Sequence, residues 1–176
     1  MPRVTTLLLG IALVIITLIT ASPAAPPPDK IRIGVYDTRA IAIAYANSAE
    51  FQTVIREKKL EQQAAVQRND TEEAQRLEAW GQTLQLKLHF QGFCRVPVSD
   101  ILQPHKDQLN QIAAKLQLAA ITSSCDLTVE NTITVDITTE LVKIFDPSEK
   151  TLEMTQSISE HQPLPLTDVA NMPAHH

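Results

Sequence analysis

The sequence predicts an α+β chain, mostly helical, in which a small β-sheet body carries a projecting antiparallel helical hairpin, followed by a C-terminal helix and a disordered tail. Three observations lead there. Apolar and polar residues alternate in KIRIGVYD and again in CDLTVENTITVD, the period-2 pattern of half-buried strands. Between them, the run from Glu50 to Arg68 is dominated by Gln, Glu, Lys and Ala and holds no Gly or Pro, which favours helix throughout. An Asn69-Asp70 turn then separates this run from a second one, with Asp70 and Glu73 at capping-box spacing, so the two helices should fold back on each other.

The elements follow in order. Residues 1–24 read as a secretory signal peptide: Arg3 precedes an uncharged run, TTLLLGIALVIITLIT, and the small residues Ser22 and Ala24 stand at the positions a signal peptidase inspects. The run is shorter than the roughly 20 apolar residues that cross a bilayer, so cleavage is favoured over retention as an anchor, with no stable membrane span afterwards. The expected location is the periplasm or another extracytoplasmic space. Residues 25–29, rich in proline, form a linker. Residues 30–160 make one domain, with helical arms over about 48–121.

Within that domain Ile31, Ile33 and Val35 mark the first strand, and Thr38 caps a short Ala-rich helix. Phe51, Val54 and Ile55 give the first arm an apolar stripe only near its base. On the second arm Ala74, Leu77, Gly81, Leu84 and Leu88 follow a heptad, so Leu77, Leu84 and Leu88 form the seam of the hairpin. The helix is expected to break after Phe90. In the loop QGFCRVPVSD the apolar Phe93, Cys94, Val96 and Val98 either fold back onto the helices or meet a partner, and Phe93, Val96 and Val98 are candidate partner contacts. A third helix is read over 100–121, kinked at Pro104, and its length should keep Cys94 and Cys125 too far apart for a disulfide. Cys125, Leu127 and Val129, then Ile133 and Val135, predict a β-hairpin. A helix follows Thr138, another starts at Asp146-Pro147, and residues 161–176 look extended or disordered.

Charge narrows the function classes. The whole chain carries a net charge of −5, and the stretch from Thr122 onward holds two basic residues against nine acidic ones. Such a surface repels phosphate backbones, and 4% aromatic content offers little for base stacking, so nucleic acid is not an expected partner. No nucleophile elbow, His-Glu metal motif or phosphate-cradling glycine loop occurs, so neither catalytic residues nor a cofactor or metal ion is expected. Solvent-facing positions on a hairpin account for the acids Asp126, Glu130 and Asp136.

The order of strand, short helix, helical hairpin, β-hairpin and helix, carried by KIRIGVYD, CDLTVE and TVDITTELVKIF, resembles the Skp/OmpH family of periplasmic chaperones over about residues 30–145. The resemblance implies a homotrimer whose shared β-body carries helical arms around unfolded outer-membrane or envelope proteins, a holdase rather than an enzyme. In such a trimer Ile33, Val35, Leu127 and Val129 would form the oligomer core. The arms depart from that family in being charge-neutral, with nine basic and nine acidic residues over 48–121, where the family presents a basic cavity. The alternative is a structural coiled-coil scaffold of the envelope with a specific folded partner.

Overall fold

The computed structural model describes residues 30–171; the signal-peptide and linker readings, and the tail beyond Asn171, lie outside them. The alternating segment Ile31–Val35 forms β1. There follow α1 (Thr38–Ala46), α2 (Ala49–Gln67), α3 (Thr71–Phe93), α4 (Ser99–Leu102), α5 (Lys106–Leu116), β2 (Leu118–Thr122), β3 (Thr132–Asp136), α6 (Thr138–Val142), α7 (Glu149–Glu160) and α8 (Leu166–Ala170). The chain is mostly helical around one small sheet, the coarse architecture that composition and alternation predict.

The sheet itself differs from expectation. Its order is β2-β1-β3, and β1 runs parallel to both neighbours. The expected β-hairpin is absent: residues 125–129 form no strand, and β3 pairs with β1 in the register Ile31–Thr132 through Val35–Asp136. The other neighbour, β2, lies in a stretch read from sequence as the end of a helix over 100–121. Two backbone features cut that helix. Pro104 falls in a 3-10 turn, Gln103–His105, and Gln117 adopts a left-handed conformation (φ 55°) that ends α5. The chain beyond Gln117 then satisfies its backbone groups on β1 instead of on the preceding helical turn. The predicted geometry separating the two cysteines therefore does not exist, although both thiols are free.

The starts of α1, α2, α3 and α7 carry side-chain caps, two of them one or two residues from the predicted site. Asp37, not Thr38, caps α1 by accepting the Arg39 N–H at 2.9 Å. Ser148, not Asp146, caps α7, while Asp146 takes a left-handed conformation. The turn between the arms is as expected: Asn69 is left-handed (φ 54°), and the Asp70 carboxylate accepts the Glu73 N–H at 3.1 Å. The second arm continues through Gly92 to Phe93 rather than breaking after Phe90. Over residues 161–171 the expected tail is ordered instead, since α8 packs on α3, buries Val169, and is led in by a Leu164 N–H to Phe93 carbonyl bond of 2.9 Å.

The core is built around α1. Ala40, Ile41 and Ala44 pack with Val98, Ile101 and Leu102 from the region after α3 and with Ile137, Leu141, Val142 and Phe145 from the α6 region. The small side chains of α1 let it sit close to α3, α6 and α7 at once. Close approach also fixes Gly34 in β1, where an added Cβ would stand 2.7 Å from Ile137 Cδ1 and 2.8 Å from Leu118 Cδ1. Gly34→Val should therefore overpack this junction and cost about 1–3 kcal/mol. Urea unfolding that gives an unchanged midpoint would refute the packing described.

Candidate functional site

The junction of α1, α2 and α3 provides the most distinctive apolar feature. Ser48 ends the short link after α1: its hydroxyl donates to the Tyr45 carbonyl at 2.7 Å and accepts the Phe51 N–H at 3.2 Å, so α2 starts afresh at an angle to α1. The turn brings Phe51 onto Tyr45 (centroids 5.1 Å apart), Tyr45 onto Phe145 (5.9 Å) and Phe145 onto His105 (5.1 Å). This aromatic file fastens the base of the arms to the body. His105 Nε2 makes no hydrogen bond and lies 3.4 Å from the Glu50 carboxylate.

The two arms pack on each other, and Ala65 of α2 and Leu77 of α3 are buried. Nearer the base α1, α2 and α3 enclose an open cleft of about 410 Å³. Its walls are Ala42, Ile43 and Ala46 of α1, Phe51 and Ile55 of α2, and Gly81, Leu84, Leu88, Gly92 and Phe93 of α3. The α3 positions recur at three- and four-residue spacing and so share one face. Polar lining comes only from Gln52, Gln85 and His89, with no Lys, Arg, Asp or Glu. A surface of this kind gains free energy by taking apolar groups out of water.

The seam read from sequence is thus divided: Leu77 is buried, whereas Leu84 and Leu88 stay half-buried and line the cleft. The loop residues divide as well. Val98 is fully buried in the core and is not a surface contact, Val96 is half-buried, and Phe93, 38% exposed, joins the cleft. Of the four residues assigned to an oligomer core, Ile33 and Val35 are half-buried on β1. Leu127 and Val129 lie in the connection 123–131 and are 90% and 77% exposed. Sequence reasoning missed the α1 wall, Ala42, Ile43 and Ala46, and the part of Gly81 and Gly92; two glycines inside an otherwise strong helix were the available sign.

A second cleft, about 370 Å³ and polar, opens at the C-terminal ends of the strands and is lined by Asp37, Arg95, Ser124, Cys125, Asp126 and Asp136 among others. Two of its acids have structural work. Asp37 receives Nε and Nη2 of the buried Arg39 at 3.0 and 2.6 Å, and Asp136 accepts the Thr138 N–H at 2.8 Å. Burial pushes the Asp37 carboxyl up, but hydrogen bonds and charge from Arg39 outweigh it and hold the group below the usual carboxylate range. Burial raises the Cys94 thiol, with a further push from Asp168, so Cys94 is a poor nucleophile. Among the described residues no group of three or more His, Cys, Asp or Glu side chains could hold a metal ion, and no helix is long and apolar enough to cross a membrane.

Comparison with known proteins returned no match to this chain, whether among family models, curated proteins or solved structures.

Proposed function

We propose that the chain is an extracytoplasmic, non-enzymatic holdase in the manner of the Skp/OmpH chaperones, holding apolar segments of unfolded envelope proteins at the base of its helical hairpin. The observation that carries this reading is the largely apolar cleft between α1, α2 and α3, which has no Lys, Arg, Asp or Glu in its lining. It is open to solvent and built on rigid helices, and it lies where arms resembling that family's would meet a client. The exposed Leu60, Val66 and Leu86 extend apolar surface along the arms. The test is aggregation of two unrelated outer-membrane proteins diluted from urea. Equimolar mature chain should lower the light scattering of both. If neither responds, the holdase reading fails and the scaffold with one folded partner takes its place.

The assembly proposed with it is a homotrimer joined through the sheet bodies. Leu127 and Val129, exposed in the single chain, support a partner surface there, as do the free edges of β2 and β3. Because Leu127 adds nothing to the single-chain core, Leu127→Asp should reduce the oligomeric mass while leaving the circular dichroism of the chain intact. Sedimentation of a wild type that is already monomeric, or of a variant that keeps its full mass, would reject the trimer.

A further inference from the structure

The packed core is interrupted along the chain. From Gln103 to Asp136 no residue is buried, and Leu109, Ile112, Leu116, Leu118 and Ile121 touch the core only as half-buried side chains. Segments with so little burial open more readily than the rest of a fold. Within β2, Ala119 and Ala120 are exposed and of a residue type that favours helix over strand. They also straddle a break in register, since Arg32 faces Leu118 while Ile33 faces Ala120. Gln117, which turns α5 into β2, carries a left-handed backbone (φ 55°) that is strained for any residue with a Cβ.

This stretch has a second way to satisfy its backbone. If α5 continued, the Ala120 N–H would donate to the Leu116 carbonyl, the bond a helix makes four residues back. In the structure that carbonyl accepts Arg32 Nε of β1 at 2.9 Å instead. Arg32 thus occupies the acceptor that the next helical turn would use. At the far end of the same pairing the Tyr36 N–H donates to the Thr122 carbonyl at 3.2 Å. We propose that residues 117–122 are a two-state element, which passes between a strand latched by Arg32 and roughly one and a half further turns of α5. In the helical state the β2 side of β1 is open. The inference stands apart from the holdase reading and neither needs it nor supports it.

The experiment uses the full mature chain carrying Lys115→His and Ala119→His together. Both positions are exposed and lie on either side of Gln117. On a continuous helix they would be one turn apart on one face, the spacing at which two histidines hold a zinc ion. Zn2+ should therefore select the helical state and raise the helical circular dichroism. In hydrogen exchange it should lower protection of the Tyr36 amide by at least about tenfold. The Ile137 amide, which donates to the Val35 carbonyl, should keep its protection and so serves as the reference for global unfolding. Lys115→His alone should show neither change. Without zinc, Gln117→Gly relieves the strained backbone and should raise Tyr36 protection about tenfold, whereas Arg32→Met removes the latch and should lower it. A double variant that answers zinc no more than the single one overturns the inference. So does loss of Tyr36 protection without a gain in helical signal, which is fraying of an edge strand. Equal Tyr36 protection in Gln117→Gly and wild type, or an Arg32→Met in which Tyr36 and Ile137 lose protection together, would do the same.

Discussion

Arg39→Ala is expected to destabilise the fold by about 3–5 kcal/mol, the cost of breaking a buried ion pair by removing one partner. The Arg39 side chain is fully buried, donates twice to Asp37, and sends Nη1 to the His161 carbonyl at 2.9 Å. It thereby joins the start of α1 to the end of α7, two elements far apart in sequence. Removal leaves a mostly buried Asp37 carboxylate and an unpaired carbonyl. The pH dependence gives a second, sharper readout. In wild type the Asp37 carboxyl is held below its unfolded value, so the stability it contributes is present above that value, about pH 3.9, and is lost as pH falls through the lowered folded value. Without the Arg39 guanidinium, burial pushes the carboxyl up against only the backbone N–H of residue 39 and the Arg95 charge, so the stability lost on acidification should shrink. Urea unfolding of both proteins between neutral pH and pH 3 checks this, and parallel stability curves would refute the role given to the pair.

The second large effect belongs to Ile137. It follows β3 directly, is fully buried, and its N–H donates to the Val35 carbonyl at 2.9 Å, while its side chain fills the space above Gly34. It therefore joins the sheet to the helical core around Ile41, Leu141 and Val142. Ile137→Ala should cost about 2–5 kcal/mol, transfer and cavity contributions together. Leu60→Ala on the exposed face of α2 is the control and should cost less than about 0.5 kcal/mol. Comparable losses at the two positions would mean that the core is not centred where the structure puts it.

What could be read from the sequence was what local chemistry decides. The helical hairpin was legible because Gln, Glu, Lys and Ala favour helix without tertiary help, and because Asn69 and Asp70 carry turn and capping chemistry in their own side chains. The first strand was legible by alternation. The pairing was not. Leu118–Thr122 reads as helix because Leu and Ala favour it, and only contact with β1, distant in sequence, makes it a strand. Conversely, Cys125, Leu127 and Val129 alternate correctly for a strand that finds no partner within the chain. The left-handed Gln117 that divides these outcomes has no compositional signature, since such a backbone is ordinarily left to glycine or asparagine. At the site, the heptad pointed to the right face of α3 but suggested a closed seam. It is the arrival of α1, an arrangement of the whole domain, that opens the cleft at Leu84 and Leu88.

A sheet whose central strand is the first to be made has a consequence for the order of folding. Its closures span nearly the whole domain: Arg32 Nε donates to the Leu116 carbonyl across 84 positions, and the Thr138 hydroxyl accepts the Asp37 N–H across 101. Contacts of such sequence separation form late, after the entropy of closing a long loop has been met, whereas the α2–α3 hairpin can form from neighbouring residues at once. A chain emerging N-terminus first would hold β1 unpaired until β2 (Leu118–Thr122) had appeared, and open on its other side until β3 (Thr132–Asp136) followed. During that interval the Ile31–Val35 edge is open on both sides, and a second nascent copy could supply β2 or β3 to it. Strand exchange at this step would give an entangled dimer, so refolding yield should fall as protein concentration rises.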